Sequence, residues 1–443
     1  MDNSIILTGK YTKAEIFATT VEEGVYGQVY DIINNPAFRG KKVVLMPDVH
    51  VGASGPCGLV AEIGDWICPE HIGVDIGCSV TMLILDDFIP AEKLEKFERE
   101  VKLRVPMGFN IHNKTVVDET DFLRFLGKEF MRARSLWPEV MTIDLLPNVV
   151  TEKWLTKKLS ALGMDTGTFW KSLGTIGGGN HFIEYGESPT MGAVTMHFGS
   201  RNFGVKVCKH WMKKTVNPMT KAEAAEIAAD LKSEWKKTHK TMDGFNAELK
   251  TVLQERRNSF IKGYLTGEDM QGYLCDMVLA QAYAKYNHMT VQNIISEILR
   301  KLHLPKIADS ITCTHNYVDF RDHYIRKSSI SAHSMEKVIV PLNMRDGTVL
   351  GFGKGNTDWM KSCSHGAGRK MSRSEAKRTV TMEEFKSSME GIVTTSVCEA
   401  TVDESPMAYK DSMEIIDLIA ETIDIMTVFK PKISWKAAEE SRQ

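Results

Sequence analysis

The sequence predicts an α/β fold, of the α+β kind, built on one continuous core. Three observations carry this reading. Short β-rich runs that end at glycines or polar turns recur along the length, at 41–46, 193–196, 311–317 and 338–353. Long segments with apolar residues three and four apart separate them, the spacing of an amphipathic helix. No internal repeat or low-complexity linker divides the chain. The 443 residues therefore read as a single domain, 1–443, although length alone would allow two or three.

Taken in order, residues 1–40 read as a lead with helical stretches. A β-rich run at 41–46 stops at Pro47-Asp48. From Met46-Pro47-Asp48-Val49-His50-Val51-Gly52, through Gly55-Pro56, to Gly73-Val74-Asp75-Ile76-Gly77-Cys78, glycine and proline punctuate the chain. Short strands joined by glycine-dependent turns fit this better than helices. The stretch supplies Asp48, Asp75, His50, His71 and Cys78 and reads as site-building. Residues 90–165 read as helices with charged faces. Glycine returns at 171–185, in Gly177-Gly178-Gly179-Asn180-His181-Phe182-Ile183-Glu184, and the strand at 193–196 ends at His197, ahead of Gly199-Ser200-Arg201. Residues 206–305 are strongly helical, and 221–262 are charged enough to predict a helical insertion. A strand then approaches His315, two strands flank a polar turn across 338–353, 391–397 is β-rich, and a final helix spans 414–426.

Composition bounds the class. With 43% hydrophobic and 25% charged residues the chain is an ordinary soluble globular protein, long enough for a large core. A formal net charge of −2 argues against a general basic coat for nucleic acid and leaves room for a local basic groove. Met1-Asp2-Asn3-Ser4-Ile5-Ile6-Leu7 shows no basic region followed by a long apolar one, and no apolar run approaches the ~20 residues that span a bilayer. Eight cysteines are too sparse for a disulfide scaffold and read as free thiols in a reducing cytoplasm. A small buried hydrophobe is the usual fate of each; Cys78 is the exception.

The segment Ser362-Cys363-Ser364-His365-Gly366-Ala367-Gly368-Arg369-Lys370-Met371-Ser372-Arg373 carries the most chemistry. Its glycines let backbone amides approach an anion. Arg369, Lys370 and Arg373, with Lys377 and Arg378, are opposed locally only by Glu375, which predicts a positive field. Ser372 and Glu375 have capping-box spacing and predict a helix start. A histidine beside such a loop can serve as nucleophile or base toward phosphate; a surface turn before a solvated basic helix explains the same residues. Elsewhere, Asp75 with Cys78, His181, His197 and His315 stand at strand ends or glycine turns, each a metal-ligand type. By ligand chemistry, thiolate and imidazole favour zinc, while carboxylate and imidazole also suit manganese.

Together these motifs resemble the RtcB family of RNA ligases. The resemblance rests on Met46-Pro47-Asp48-Val49-His50, Asp75-Ile76-Gly77-Cys78, Gly179-Asn180-His181-Phe182, His197-Phe198-Gly199-Ser200-Arg201, His315-Asn316-Tyr317 and 362–369, with Met277, Ala280, Tyr283 and Ala284 in a core helix at 273–287. It implies a single catalytic domain of packed β-sheets with surrounding helices. The implied reaction joins an RNA 3′-phosphate or 2′,3′-cyclic phosphate to a 5′-hydroxyl end, using GTP and two Mn²⁺. Cys78 would bridge the ions, with His197 and His315 completing one site and Asp75 and His181 the other; here the family overrides the zinc reading. His365 would carry GMP. Asn180 and Glu184 would contact the nucleotide, Ala367 and Gly368 would offer amides to phosphate beside Arg369, and Lys436 would lie near the nucleotide. Arg201 would contact RNA phosphate, and Asp48 is the candidate for the RNA-end chemistry, or else a turn cap. The family also implies a monomer, with room for an accessory activator.

Three departures predict a divergent branch, one suited to repair of particular RNAs. Leu342-Asn343-Met344 stands where the family has Gly-Ser-Met, so Asn343 would replace a serine contact to the nucleotide. Phe198 stands where a small serine is common, which predicts a narrower cleft. The charged stretch 221–262 is long. The rival readings are a binuclear metal-dependent phosphoesterase, which leaves His365 and Lys436 unexplained, and a non-catalytic RNA-binding protein, which leaves the intact ligand set unexplained. A lysine-dependent nucleotidyl ligase finds only Lys240-Thr241-Met242-Asp243-Gly244, one residue too long for its signature.

Overall fold

A computed structural model describes residues 4–142, 149–215, 221–239, 241–258 and 263–437. Two β-sheets dominate it. The larger has seven strands, in spatial order Ile307–Thr314, Ser79–Leu85, Gly192–Phe198, Phe182–Glu187, Ile423–Lys436, Gly347–Gly353 and Lys337–Asn343. Every pair in it is antiparallel. The smaller has six, in order Ile5–Thr8, Lys13–Ile16, Val43–His50, Cys57–Glu62, Tyr324–Lys327 and Asn316–Asp319, with one parallel pair, Lys13–Ile16 on Val43–His50.

The central strands are buried on both faces. Val80 and Met82 point into one apolar cluster, and Leu83 and Leu85 into another on the opposite face. That burial explains why 193–196 reads as a continuous β-rich run rather than an alternating one. The 35-residue helix Gly267–Lys301 anchors a third cluster, with Glu119–Leu136 and the small sheet around it. Tyr273, Met277, Ala280, Tyr283 and Ala284 are all buried along it. Ala284 matters to the turn before Ser79–Leu85. Gly77 has φ +74, and a Cβ there would lie 2.8 Å from the Ala284 Cβ, so only glycine lets this turn lie against the helix.

Several elements differ from the sequence expectation. The lead is a strand hairpin, Ile5–Thr8 with Lys13–Ile16, followed by the helix Glu23–Ile33. The strand expected to stop at Pro47 continues to His50 and breaks register with Cys57–Glu62 between Leu45 and His50; the irregularity accommodates a proline that cannot donate to a ladder. Segment 391–397 forms only an isolated bridge, Val393 with Ile433. The last helix is Ser412–Ile419, and Ile423–Met426 belong to the strand that ends at Lys436. The charged stretch forms two helices, Lys221–Thr238 and Phe245–Asn258, packed through Trp235 against Phe245. Lys240 and 259–262 lie outside the described residues. Among the described residues, no helix is long and apolar enough to cross a membrane.

Candidate active site

The register of four neighbouring strands builds the site. Ser79 pairs with Thr314 on one side and with Phe198 on the other, and Phe182 pairs with His197. Cys78 precedes Ser79, His181 precedes Phe182, and His315 follows Thr314. All four ligand-type residues therefore stand at the same end of the sheet. The next strand continues the row: Lys436 pairs with Phe182, and Ser434 with Glu184.

Their donor atoms converge. Cys78 Sγ lies 3.2 Å from His197 Nε2 and 3.5 Å from His181 Nε2. His197 Nε2 lies 3.1 Å from His315 Nε2, and His181 Nε2 lies 3.0 Å from Asp75 Oδ2. Cys78, His181 and His197 can each offer one atom within 4.8 Å of the others. Burial holds His197 and His315 well below the usual histidine range, reinforced by neighbouring imidazoles including His365. Burial also raises the Cys78 thiol, with the Asp75 charge adding to it. For Asp75, burial works upward, but the hydrogen bond and charge of His181 outweigh it and the carboxyl sits below its ordinary value. Nitrogen lone pairs aimed at one another, with a thiol and a carboxyl beside them, cannot all be satisfied by protons. A thiolate, three imidazoles and a carboxylate are instead the donor set of a divalent transition metal site.

His365 follows the short strand Ser362–Ser364, which pairs with Ser329–Ser331. Its ring lies 4.9 Å from that of His315, which places it beside the cluster. Its Nδ1 lies 2.6 Å from Asp48 Oδ2, and the same oxygen accepts from the His365 backbone N–H at 3.1 Å. A carboxylate only accepts, so Nδ1 carries a proton, and in the neutral ring Nε2 keeps its lone pair. Asp48 is fully buried; it orients this histidine, which the turn-cap alternative did not anticipate. Gly368 closes the arrangement, with φ +74 and a position where any Cβ would overlap the Asp48 backbone carbonyl. Among the described residues, no protein group accepts from the N–H groups of Ala367 or Gly368.

A cavity of about 430 Å³ opens beside His365, within the range of small-molecule sites. Asn180, Glu184, His197, Asn343, Ala367, Gly368, Arg369 and Lys436 all line it. Burial pushes the Glu184 carboxyl up to about 8, partly offset by Lys436. Lys436 stands over the Phe182 ring, 5.5 Å from its centre.

Other placements revise the sequence reading. The positive field is not opposed by Glu375 alone. Asp403 and Glu404, both buried, hold Arg369 (3.4 Å to Glu404), Arg373 (2.7 Å to Asp403, and also Glu404) and Lys436 (2.9 Å to Glu404). Tyr409 donates to Glu404 at 2.6 Å. Burial raises the Glu404 carboxyl, but Lys436, Arg373 and Arg369 outweigh it and hold it at about 2. Glu375 instead closes the expected capping box with Ser372, at the start of Arg373–Thr379. Phe198 does not narrow the cleft. It is fully buried and stacked on His288, ring centres 3.8 Å apart, because successive strand residues face opposite sides. The Arg201 guanidinium is directed at Thr175 Oγ1 (2.9 Å) and the Gly108 carbonyl (2.7 Å), so it braces the neighbouring loops. Asn343 folds into its own turn: its Oδ1 accepts from the Arg345 and Asp346 N–H groups, and its Nδ2 donates to Asp346.

Comparison with known proteins decides the family. A family model described as "tRNA-splicing ligase RtcB" matches residues 28–437. The chain belongs to the RtcB family. It is 26% identical to "RNA-splicing ligase RtcB" of Escherichia coli, with 90% of this chain and 91% of the relative covered. It is 24% identical to "tRNA-splicing ligase RtcB" of Methanococcus maripaludis, with 94% and 92% covered. A third relative, "RNA-splicing ligase RtcB homolog 2" of Entamoeba dispar, is 22% identical over 88% of this chain and 79% of its own length. Asp403, Glu404 and Tyr409 escaped the sequence reading, since nothing in Asp403-Glu404-Ser405-Pro406 distinguishes it from an ordinary acidic turn.

Proposed function

We propose that this chain is an RNA ligase that joins a 3′-phosphate or 2′,3′-cyclic phosphate end to a 5′-hydroxyl end, with GTP as co-substrate and His365 as the residue that carries GMP. Family membership supports the ligase class. The observation that carries the mechanism is the Asp48–His365 pair, which fixes the Nδ1–H tautomer and leaves Nε2 as nucleophile at a cavity wall.

In this reading water first opens a 2′,3′-cyclic phosphate to the 3′-phosphate; Nε2 attacks the α-phosphorus of GTP and pyrophosphate leaves, giving a phosphoramidate; GMP then passes to the RNA 3′-phosphate, and the 5′-hydroxyl displaces it. Dividing one difficult displacement around a covalent intermediate is the gain of nucleophilic catalysis. The Ala367 and Gly368 amides meet phosphate oxygens, and Lys436 and Arg369 hold the charge in place. Glu184 faces the base, where a buried carboxyl selects by hydrogen bonding, and Asn180 borders the same space. Cys78, His197 and His315 would hold one Mn²⁺ and Cys78, His181 and Asp75 a second, and ions bound there would neutralise phosphate charge.

The test is incubation with α-labelled GTP and Mn²⁺, followed by assay for acid-labile label on the protein. Label is expected on the wild type and absent from His365→Ala. Label that persists in His365→Ala refutes the nucleophile. Phosphatase activity with no label from any nucleotide returns the site to a binuclear phosphoesterase.

A further inference from the structure

Cys57 and His50 form a second thiol–imidazole pair that the proposed ligation does not use. His50 ends the strand Val43–His50, Cys57 begins Cys57–Glu62, and the two are directly paired across the ladder. Both line the cavity that His365 borders. The His50 Nδ1 lies 2.8 Å from the Asp48 carbonyl. A carbonyl only accepts, so Nδ1 is the donor and Nε2 is the nitrogen able to exchange a proton with the thiol. Lys327, whose Nζ donates to the Gly55 carbonyl at 2.8 Å, adds a second cation near the sulfur. Burial works against charge on both partners, yet each stabilises the other. The Cys57 thiol comes down to about 6, through His50 and then Lys327, and the His50 imidazole rises to about 9, through Cys57 and Asp48. Cys57 and Cys398 are the partly exposed thiols, and the other six cysteines are buried.

We propose that Cys57 is a modification site, a thiolate reactive toward peroxides and soft electrophiles, chained through His50 and Asp48 to His365. A cysteine beside cations in a partly open pocket is the setting in which thiols react selectively. With hydrogen peroxide the sulfur attacks one oxygen, the O–O bond breaks, and the departing hydroxide takes the imidazolium proton of His50 to give water. Sulfur is oxidised by two electrons to the sulfenic acid and the peroxide is reduced. The ion pair with His50 is then lost. Because His50 is bonded to the backbone of the residue that orients His365, oxidation disturbs the nucleophile's support, and a bulky adduct fills the cavity wall beside it. The reactivity stands on its own; the effect on His365 rests on the proposed transfer of GMP.

The full-length protein is treated with limiting iodoacetamide at neutral pH, and Cys57 and Cys398 are quantified by mass spectrometry. Cys57 is expected to react about tenfold faster, from the cations beside its sulfur, and His50→Gln to remove that advantage. Equal rates at the two cysteines overturn the proposal. In a second arm, hydrogen peroxide is expected to lower GMP labelling of the wild type, while labelling of Cys57→Ser, whatever its starting level, stops responding. Peroxide sensitivity that persists in Cys57→Ser assigns the effect to Cys78 and overturns the link to His365. Untreated protein that takes up no GMP sinks the ligase reading, and the alkylation ratio still decides Cys57.

Discussion

Replacing Asp48 with asparagine separates two ways in which a buried carboxylate can serve a histidine. In the wild type one oxygen, Oδ2, accepts from both the His365 Nδ1 (2.6 Å) and the His365 backbone amide (3.1 Å). The other, Oδ1, is buried and has no partner. An asparagine placed there faces two donors at one position, so its carbonyl oxygen turns toward them and its NH₂ takes the empty side. The Nδ1–H tautomer then survives, and only the charge on the hydrogen bond is lost. A hydrogen bond to a charged group contributes about 1.5–3 kcal/mol, and 1.36 kcal/mol is tenfold in rate, so labelling should slow by about 10- to 150-fold. Placing the NH₂ in an unpaired buried position costs a further ~1–3 kcal/mol of stability. The assay is single-turnover formation of GMP–protein at saturating GTP, with urea denaturation alongside. A rate within about twofold of wild type, far short of the tenfold minimum, would refute Asp48 as the orienting group. A loss near the ~10⁴ seen when a serine protease histidine is forced into the wrong tautomer would refute the oxygen-inward geometry, and with it the part assigned to the His365 amide.

Two further substitutions probe the cavity wall. Glu404→Gln leaves the buried Lys436 without its carboxylate; removal of one member of a buried pair costs about 3–5 kcal/mol, read as a fall in urea midpoint at pH 7, and an unchanged midpoint refutes the pairing. The wild-type contribution lies with the charged carboxyl, held at about 2, so it is present above the ordinary glutamate range and lost as pH falls through 2. Glu184 behaves oppositely. Its folded carboxyl sits near 8, so the stability tied to its proton is full below the ordinary value of 4.5 and lost as pH rises through 8. Glu184→Gln should therefore gain on the wild type in denaturation midpoint between pH 5 and pH 9, and a constant difference would count against the buried, protonated carboxyl.

The metal-ligand candidates were legible because the residue types themselves carry the chemistry and stand beside glycine turns. Asp75-Ile76-Gly77-Cys78 sets a glycine between two ligand types, and the structure shows Gly77 lying against Ala284. Phe198 was also within reach of sequence logic. Once His197 points into the site, period-two alternation sends its neighbour Phe198 into the core and away from the cleft. Pro47 misled because proline normally ends a central strand; here it falls in the stretch where pairing with Cys57–Glu62 loses register. Asp403 and Glu404 were out of reach. Their meaning is electrostatic and depends on Lys436 arriving from the far end of the chain.

That distance in sequence says how the site is specified. His315, Cys78, His197 and His181 come from four adjacent strands, and Lys436 from a fifth, aligned at one end by backbone register alone. His365 comes from outside this sheet, and it too is positioned by backbone: Gly368 must pass the Asp48 carbonyl, and the His365 amide must reach the Asp48 side chain. A site fixed by register and close backbone approach constrains few side chains beyond its ligands and glycines. A chain can then differ at roughly three positions in four from its relatives, as this one does at 26% and 24% identity, without change to that register. The wall around these atoms is instead set by side chains: Asn343 folds into its own turn, and Cys57 pairs with His50 across the ladder.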